Sequence, residues 1–198
     1  MPTALELTLM KSRRDAGRSA TKFFKDIKPV RSVNNPFAFP TEEEKNKLYD
    51  DLRPNSDGTI LGSMDFAAEH GLGNCDEKAR ICFASLSCNP TLLINSGVSL
   101  VTSVNYDHVW IMVANRNVPK APVDLSLFGL TAMIVDGWTE DVYFPNLSVW
   151  DAKINGLGNT PNPRQFYVRE QIRKHLFCEY GSGGENGSQG GYGVPDNF

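Results

Sequence analysis

Three polar residues stand where an apolar core would not need them: Cys75, His108 and Asp136. Cys75 follows the turn-forming run Gly71-Leu72-Gly73-Asn74 and begins a stretch whose apolar residues recur at helical spacing. A cysteine at a helix N-terminus lies at the positive end of the backbone dipole, which favours the nucleophilic thiolate. Taken alone, Cys75 is more simply interpreted as a small buried hydrophobic residue.

His108 lies at the start of a very apolar segment, and we predict a buried strand over residues 106–113. Asp136 closes a second predicted strand, residues 131–135, and is followed by Gly137. Each has an ordinary explanation, since His108 suits a satisfied core histidine and Asp-Gly is a common turn signal. A buried imidazole and a buried carboxylate both need partners, however, and the simplest joint solution is that they satisfy each other.

The order of cysteine on a helix, histidine on a strand and aspartate on the next strand predicts a catalytic triad. His108 would form a thiolate–imidazolium pair with Cys75. Asp136 would hold the other ring nitrogen and fix the tautomer of the imidazole. The backbone N–H of Cys75 is the natural first donor to an oxyanion, Asn74 is a further candidate, and Trp138 is placed to wall the cleft.

The helix that carries Cys75 is predicted to run to about Leu86, with Asn74 as its N-cap. Asp76 and Glu77 suit the first turn of a helix, but their charges would oppose formation of a thiolate next to them.

Other helices are predicted from capping and periodicity. Thr41 followed by three acids predicts a helix start with a capping box closed by Glu44. Further helices are expected over residues 60–69 and, near the end of the chain, over residues 164–178, with Phe166, Ile172 and Leu176 facing inward.

Period-two alternation describes the strands. Residues 91–106 suit one or two strands, and residues 143–145 extend the sheet. In the strand that follows His108, alternation assigns side chains to opposite faces. One face is expected to carry His108, Trp110 and Met112, and the other Val109, Ile111 and Val113.

Composition excludes several classes of function. Hydrophobic residues make up 40% and charged residues 22% of the 198 residues, which is ordinary for a soluble globular protein. No apolar run is long enough to span a bilayer, and the N-terminus has no apolar core of a signal peptide. Four cysteines without a CxxC pair and three histidines make a zinc site a poor candidate, and no cofactor is indicated.

Basic and acidic residues are unevenly distributed along the chain. Residues 1–35 contain eight Lys or Arg and three acids, so we interpret them as a basic leader, solvated or mobile. Residues 36–180 are expected to form a single domain with the candidate site, and residues 181–198 a Gly/Ser-rich flexible tail. The acidic body has no basic stripe with interleaved aromatics, which argues against nucleic-acid binding.

Three short motifs carry a resemblance: Gly73-Asn74-Cys75, Asp107-His108-Val109-Trp110 and Val135-Asp136-Gly137-Trp138. Over residues 58–145 the chain resembles the papain-like and transglutaminase-like cysteine superfamily, in particular its bacterial effector glutamine deamidases. The resemblance implies an α+β fold in which a helix with the nucleophilic cysteine packs against an antiparallel sheet that carries the histidine and the aspartate.

The same resemblance implies a reaction. Cys75 would attack a carboxamide carbonyl, and the thioester would be resolved by water, giving deamidation, or by an amine, giving transglutamination. A cysteine peptidase with this triad and a non-catalytic binding module remain alternatives. Glu69 and His70 stand where the papain branch commonly has a glutamine, which argues against a standard peptidase.

The resemblance also implies a partner and a setting. The expected partner is a protein substrate, a host protein for an effector that a specialised secretion system injects into the host cytosol. No integral membrane association is expected.

Overall fold

The computed structural model describes residues 2–24, 29–34, 40–52, 60–104, 107–146 and 165–172. Its α-helices are α1 (Ala4–Lys22), α2 (Glu42–Asn46), α3 (Ile60–His70), α4 (Cys75–Ser87) and α5 (Pro90–Leu93). Its strands are β1 (Gly97–Ser103), β2 (Val109–Ala114), β3 (Val123–Asp124), β4 (Met133–Asp136), β5 (Asp141–Tyr143) and β6 (Gln165–Ile172). A π-helical turn, Lys47–Leu52, follows α2, and a 3₁₀ turn, Leu125–Phe128, follows β3.

The six strands form one antiparallel sheet in the order β3-β6-β1-β2-β4-β5. Helix α4 packs against β1, β2 and β4. The fold is therefore α+β, with the helix that begins at Cys75 lying on an antiparallel sheet, as the sequence predicts. The capping box of Thr41 and Glu44 is also confirmed at the start of α2.

Two apolar layers cover the two faces of the sheet, and β2 supplies both by strict alternation. Val109, Ile111 and Val113 enter the layer shared with α1 and α4. Trp110 and Met112 enter the opposite layer, together with residues of the 3₁₀ turn. The predicted division into two faces is confirmed for Val109 to Val113, whereas His108, predicted to share the face of Trp110 and Met112, precedes the strand.

Helix α1 differs from the solvated or mobile leader expected over residues 1–35. Thr3 is its N-cap and forms a capping box with Glu6. The helix packs against α4, β4 and β5. Its buried face consists of Met10, Arg13, Gly17, Ala20 and Thr21. Because this face contains glycine and arginine, no apolar stripe marks it in the sequence. The Leu residues at its start are instead exposed, Leu5 to 80%.

Arg13 fastens α1 to one end of the sheet. The side chain is fully buried, and its Nε donates to Ser96 Oγ at 3.0 Å. Its terminal nitrogens donate to Thr131 O at 2.6 Å, to Asn95 O at 3.1 Å and to Asn115 Oδ1. Burial lowers the pKa of Arg13 to about 10, so the guanidinium remains charged at neutral pH. The acceptors that satisfy it are all uncharged oxygens, three of them on the loops that flank β1 and β4.

The helix predicted over residues 164–178 is wrong where the structure describes it, because Gln165–Ile172 is a strand between β3 and β1. Phe166 and Val168, two residues apart, both enter the apolar layer with Trp110. Alternation in an antiparallel sheet therefore explains these side chains better than helical spacing does. Residues 173–178, and the tail predicted over residues 181–198, lie outside the described residues.

Gly17 generates a test of the packing of α1. A Cβ at this position would lie 2.9 Å from Val135 Cγ2 and 3.1 Å from Met133 Cε. We expect Gly17→Val to lower the free energy of unfolding by about 1–3 kcal/mol, because the side chain enters filled space. Ser19→Val is the matched control, since it adds the same branched side chain to the exposed face of α1. Denaturant unfolding that gives equal losses for both variants would contradict this packing.

Candidate active site

A short extended segment before α2 fixes the loop that leads to Cys75. Arg31 forms a parallel bridge with Leu72, in which Arg31 N–H donates to Gly71 O at 2.8 Å and Gly73 N–H donates to Arg31 O at 3.0 Å. Gly71 has φ of 66°, a left-handed conformation that favours glycine. The loop therefore reaches the start of α4 in a defined conformation, and Cys75 becomes the first residue of the helix.

Asn74 occupies the predicted N-cap position, but its side chain serves other groups. Its Oδ1 accepts hydrogen bonds from the backbone N–H groups of Val33, at 3.0 Å, and Asn34, at 3.2 Å. Its Nδ2 donates to the hydroxyl of Tyr49 at 2.6 Å, and its backbone N–H is capped by Glu77 Oε2 at 2.8 Å. Asn74 thus joins the segment before α2, the π-helical turn and α4, in addition to its candidacy as an oxyanion donor.

His108 and Asp136 satisfy each other, as the sequence predicts. His108 Nε2 lies 2.9 Å from Asp136 Oδ2, and each residue is only 5% exposed. Burial alone would lower the pKa of His108, but hydrogen bonds and charge interactions with Asp136 and Cys75 outweigh it and raise that pKa to about 10. Since Nε2 faces Asp136, Nδ1 is the ring nitrogen left for the Cys75 sulfur. The three predicted site residues therefore lie in one connected group.

Asp136 serves the imidazole and the following turn at once. Its second oxygen, Oδ1, accepts the backbone N–H groups of Trp138 at 2.9 Å and Thr139 at 3.3 Å. Burial would raise the pKa of Asp136, but the hydrogen bond and charge of His108, aided by these two N–H groups, lower it below its ordinary value of 3.8. The carboxylate is thus both the turn residue and the partner of His108, and its side chain is fixed at both oxygens.

The turn after Asp136 packs directly on α4. A Cβ on Gly137 would lie 2.9 Å from the backbone carbonyl carbon of Lys78, so glycine is needed here for close approach. Lys78 Nζ in turn lies 3.2 Å from Glu140 Oε1, and Glu140 has φ of 58°. This contact sets the separation between the helix that carries Cys75 and the strand that carries Asp136.

Trp138 contacts the imidazole. Its ring lies edge-on to His108, with ring centroids 5.9 Å apart and an interplanar angle of 75°. Its indole Nε1 donates to Asn34 Oδ1 at 2.9 Å. Residues from two distant parts of the chain therefore meet beside His108.

The two acids that follow Cys75 are both engaged. Glu77 caps the backbone N–H of Asn74, and Asp76 accepts hydrogen bonds from Arg80 Nε at 3.0 Å and from Arg169 Nη1 at 2.7 Å. Sequence reasoning missed Arg169, since it lies in the segment predicted as a helix.

The other cysteines and histidines among the described residues give no second site. Cys82 is fully buried two turns after Cys75 on the same face of α4, and burial raises the pKa of its thiol. Cys88 is exposed at the end of α4. His70 packs edge-on against Phe66, and His175 lies outside the described residues. Within the described ranges no group of three metal-ligating side chains occurs, and no helix there is long and apolar enough to cross a membrane.

Comparison with known proteins gives no relative: no protein-family model, no curated protein and no solved structure matches the chain. The chemistry of the site therefore rests on its geometry.

The coupled charges of His108 and Asp136 predict a pH dependence. Because the pKa of His108 is raised from 6.5 to about 10, its contribution to stability is complete below about pH 6.5 and is lost as the pH rises through 10. The lowered pKa of Asp136 makes its contribution complete above 3.8 and lost in more acidic solution. We expect Asp136→Asn to bring the NMR titration midpoint of His108 well below 10, with the wild-type protein titrated alongside as the reference. An unchanged midpoint would contradict the pairing.

Gly137 tests whether close packing positions the site. We expect Gly137→Ala to slow alkylation of Cys75 by iodoacetamide about tenfold or more, because the added Cβ pushes Asp136 and His108 away from α4. Gly129→Ala is the control: at φ of 71° it carries backbone strain, but an added Cβ there meets no atom within 4 Å. If Cys75 is alkylated at equal rates in the two variants, the close contact between Gly137 and Lys78 does not control the reactivity of Cys75.

Proposed function

We propose that this protein is a cysteine-dependent hydrolase that acts on a carboxamide through a thioester, and that its substrate is a glutamine side chain of another protein. One observation carries the proposal. The buried imidazole of His108 is hydrogen-bonded to Asp136 through Nε2 and interacts with the sulfur of Cys75 at the start of α4. Nucleophile, base and orienting group in this order are the requirements for acyl transfer to sulfur.

Charge favours the reactive form of the pair. With a pKa of about 10, His108 carries a proton on both ring nitrogens at pH 7. An imidazolium beside a sulfur stabilises the thiolate, and the N-terminus of α4 adds the positive end of its dipole. In the proposed reaction His108 therefore supplies the positive charge beside the attacking sulfur.

The first half of the reaction forms the thioester. The Cys75 thiolate attacks the carbonyl carbon, and the carbonyl oxygen becomes negatively charged. The backbone N–H of Cys75 is in the first turn of α4, where it has no intrahelical acceptor, so it can donate to that oxygen. His108 then gives its Nδ1 proton to the amide nitrogen, the C–N bond breaks, and ammonia leaves.

The second half restores the enzyme. Neutral His108 accepts a proton from water as the oxygen attacks the thioester carbon, and collapse of the adduct releases a glutamate side chain and the Cys75 thiolate. A primary amine in place of water would give a new amide bond, so transglutamination is the same chemistry with a different acceptor. Throughout both halves Asp136 remains ionised and holds the imidazole.

Burial of the nucleophile supports a side-chain substrate over a main-chain one. Cys75 is 7% exposed, and the ring of Trp138 lies edge-on to His108 beside it. A long, unbranched glutamine side chain can reach a recessed sulfur, whereas a peptidase must admit an extended main chain on both sides of the scissile bond. Peptide cleavage is therefore the alternative outcome of the test below.

Incubation of the protein with a cell lysate and a biotin-tagged primary amine, read by mass spectrometry, tests the reaction. We expect wild-type protein to convert particular glutamines to glutamate, and Cys75→Ala to lose this activity by more than about 10³-fold, because the thioester cannot form. His108→Ala should lose a similar amount. Tag incorporation would identify a transglutaminase, and new chain termini a peptidase.

Cys88→Ser is the matched control for the loss of a thiol. Cys88 is exposed at the end of the same helix and is expected to be dispensable, so this variant should retain full activity. Circular dichroism and thermal unfolding of Cys75→Ala check that its fold is intact. Identical products from wild-type protein and Cys75→Ala would overturn the proposed function.

A further inference from the structure

Arg169 occupies an irregular position in β6. Along the β1–β6 pair, Leu100 faces Glu170 and Val101 faces Val168, so Arg169 is the extra residue of a β-bulge. Bulges redirect a side chain and occur frequently beside functional sites. Here the redirected guanidinium reaches Asp76 Oδ1 at 2.7 Å, although the two residues are 93 positions apart.

Asp76 directly follows Cys75, and each carboxylate oxygen of Asp76 accepts a hydrogen bond from a different arginine. Arg80, one turn later in α4, donates to Oδ2 at 3.0 Å, while Arg169 reaches Oδ1 from the sheet. Two guanidinium groups therefore lie against one carboxylate, and both of its oxygens are compensated by positive charge beside the first turn of α4.

Other charged side chains near the start of α4 have partners of their own. Glu77 accepts a hydrogen bond from the backbone N–H of Asn74. His108 pairs with Asp136, and Lys78 of α4 pairs with Glu140. Asp76 differs from these residues in that one of its partners comes from β6.

We propose that Arg169 is a positioning residue for Cys75, which holds Asp76 and cancels its charge so that the thiolate can form beside it. The inference deepens the proposed function, since it concerns the same nucleophile. It explains why the chain tolerates an aspartate immediately after a cysteine that must ionise. The bulge in β6 coincides with the residue that reaches α4.

A purely mechanical role for Arg169 makes different predictions. If the arginine only ties β6 to α4, removing either end of the pair has the same effect. If it cancels charge, removing Arg169 harms the site, whereas removing Asp76 does not. Under the charge role Arg169→Gln therefore slows the reaction of Cys75 and Asp76→Asn does not, whereas under the mechanical role both variants slow it equally.

The test is the rate of Cys75 alkylation by iodoacetamide as a function of pH, at low ionic strength, with Cys88→Ser as the background. We expect Arg169→Gln to move the pH midpoint of alkylation upward by about half a unit to one unit, and to slow the reaction about 3- to 10-fold below the midpoint. Arg169→Lys should preserve most of the rate, because it preserves the charge.

The double variant Asp76→Asn/Arg169→Gln decides between the two roles. We expect it to alkylate at the rate of the background protein, with thermal unfolding used to follow any loss of stability separately. A double variant as slow as Arg169→Gln, or an Arg169→Gln profile equal to the background, would overturn the inference. A background protein whose Cys75 reacts only above the free-cysteine range near pH 8.5 would instead overturn the proposed function.

Discussion

A charged imidazole can persist inside this protein because a carboxylate lies 2.9 Å from it. Both residues are 5% exposed, and an unpaired charge at either position would be strongly destabilising, typically by about 3–5 kcal/mol. The geometry around the pair follows from this constraint. Asp136 ends β4 and is fixed by the turn after it, His108 precedes β2, and hydrogen bonding between β2 and β4 sets the distance between them. The candidate site is therefore a consequence of how the sheet satisfies one buried charge pair.

The start of α4 is held mainly by polar contacts, in contrast to the rest of the helix. Asn74, Glu77 and Lys78 are buried, and each bonds to a group outside the apolar layers: the segment around Val33, the N-cap backbone and Glu140. Such contacts are directional and fail when a partner moves, whereas apolar packing tolerates small displacements. This arrangement fixes the first turn of α4 relative to the sheet. The proposed reaction requires that precision, because it needs Cys75 within hydrogen-bonding distance of the imidazole.

Local signals predicted much of the fold and the candidate site. The capping box at Thr41, the helix at Cys75 and the alternation along β2 each depend on residues within a few positions of one another. The pairing of His108 with Asp136 could be predicted because two buried polar groups have few other solutions. The packed helix α1 and the strand β6 were missed. Because the buried face of α1 contains Arg13 and Gly17, the sequence shows no apolar stripe there. The spacing of apolar residues in 165–172 fits a strand as well as a helix.

Helix caps and periodicity are short-range effects, so the amino-acid sequence was enough to predict Cys75, His108 and Asp136 as candidate site residues and the helix and strands next to them. How charged groups and backbones meet depends on packing between distant segments. The contact of Arg13 with Thr131 spans 118 positions and that of Arg169 with Asp76 spans 93, and no local pattern specifies either. Gly137 shows the same contrast between local signals and packing. Its turn could be predicted from Asp-Gly, but the need for glycine comes from the backbone of Lys78, which only the packed structure brings into contact.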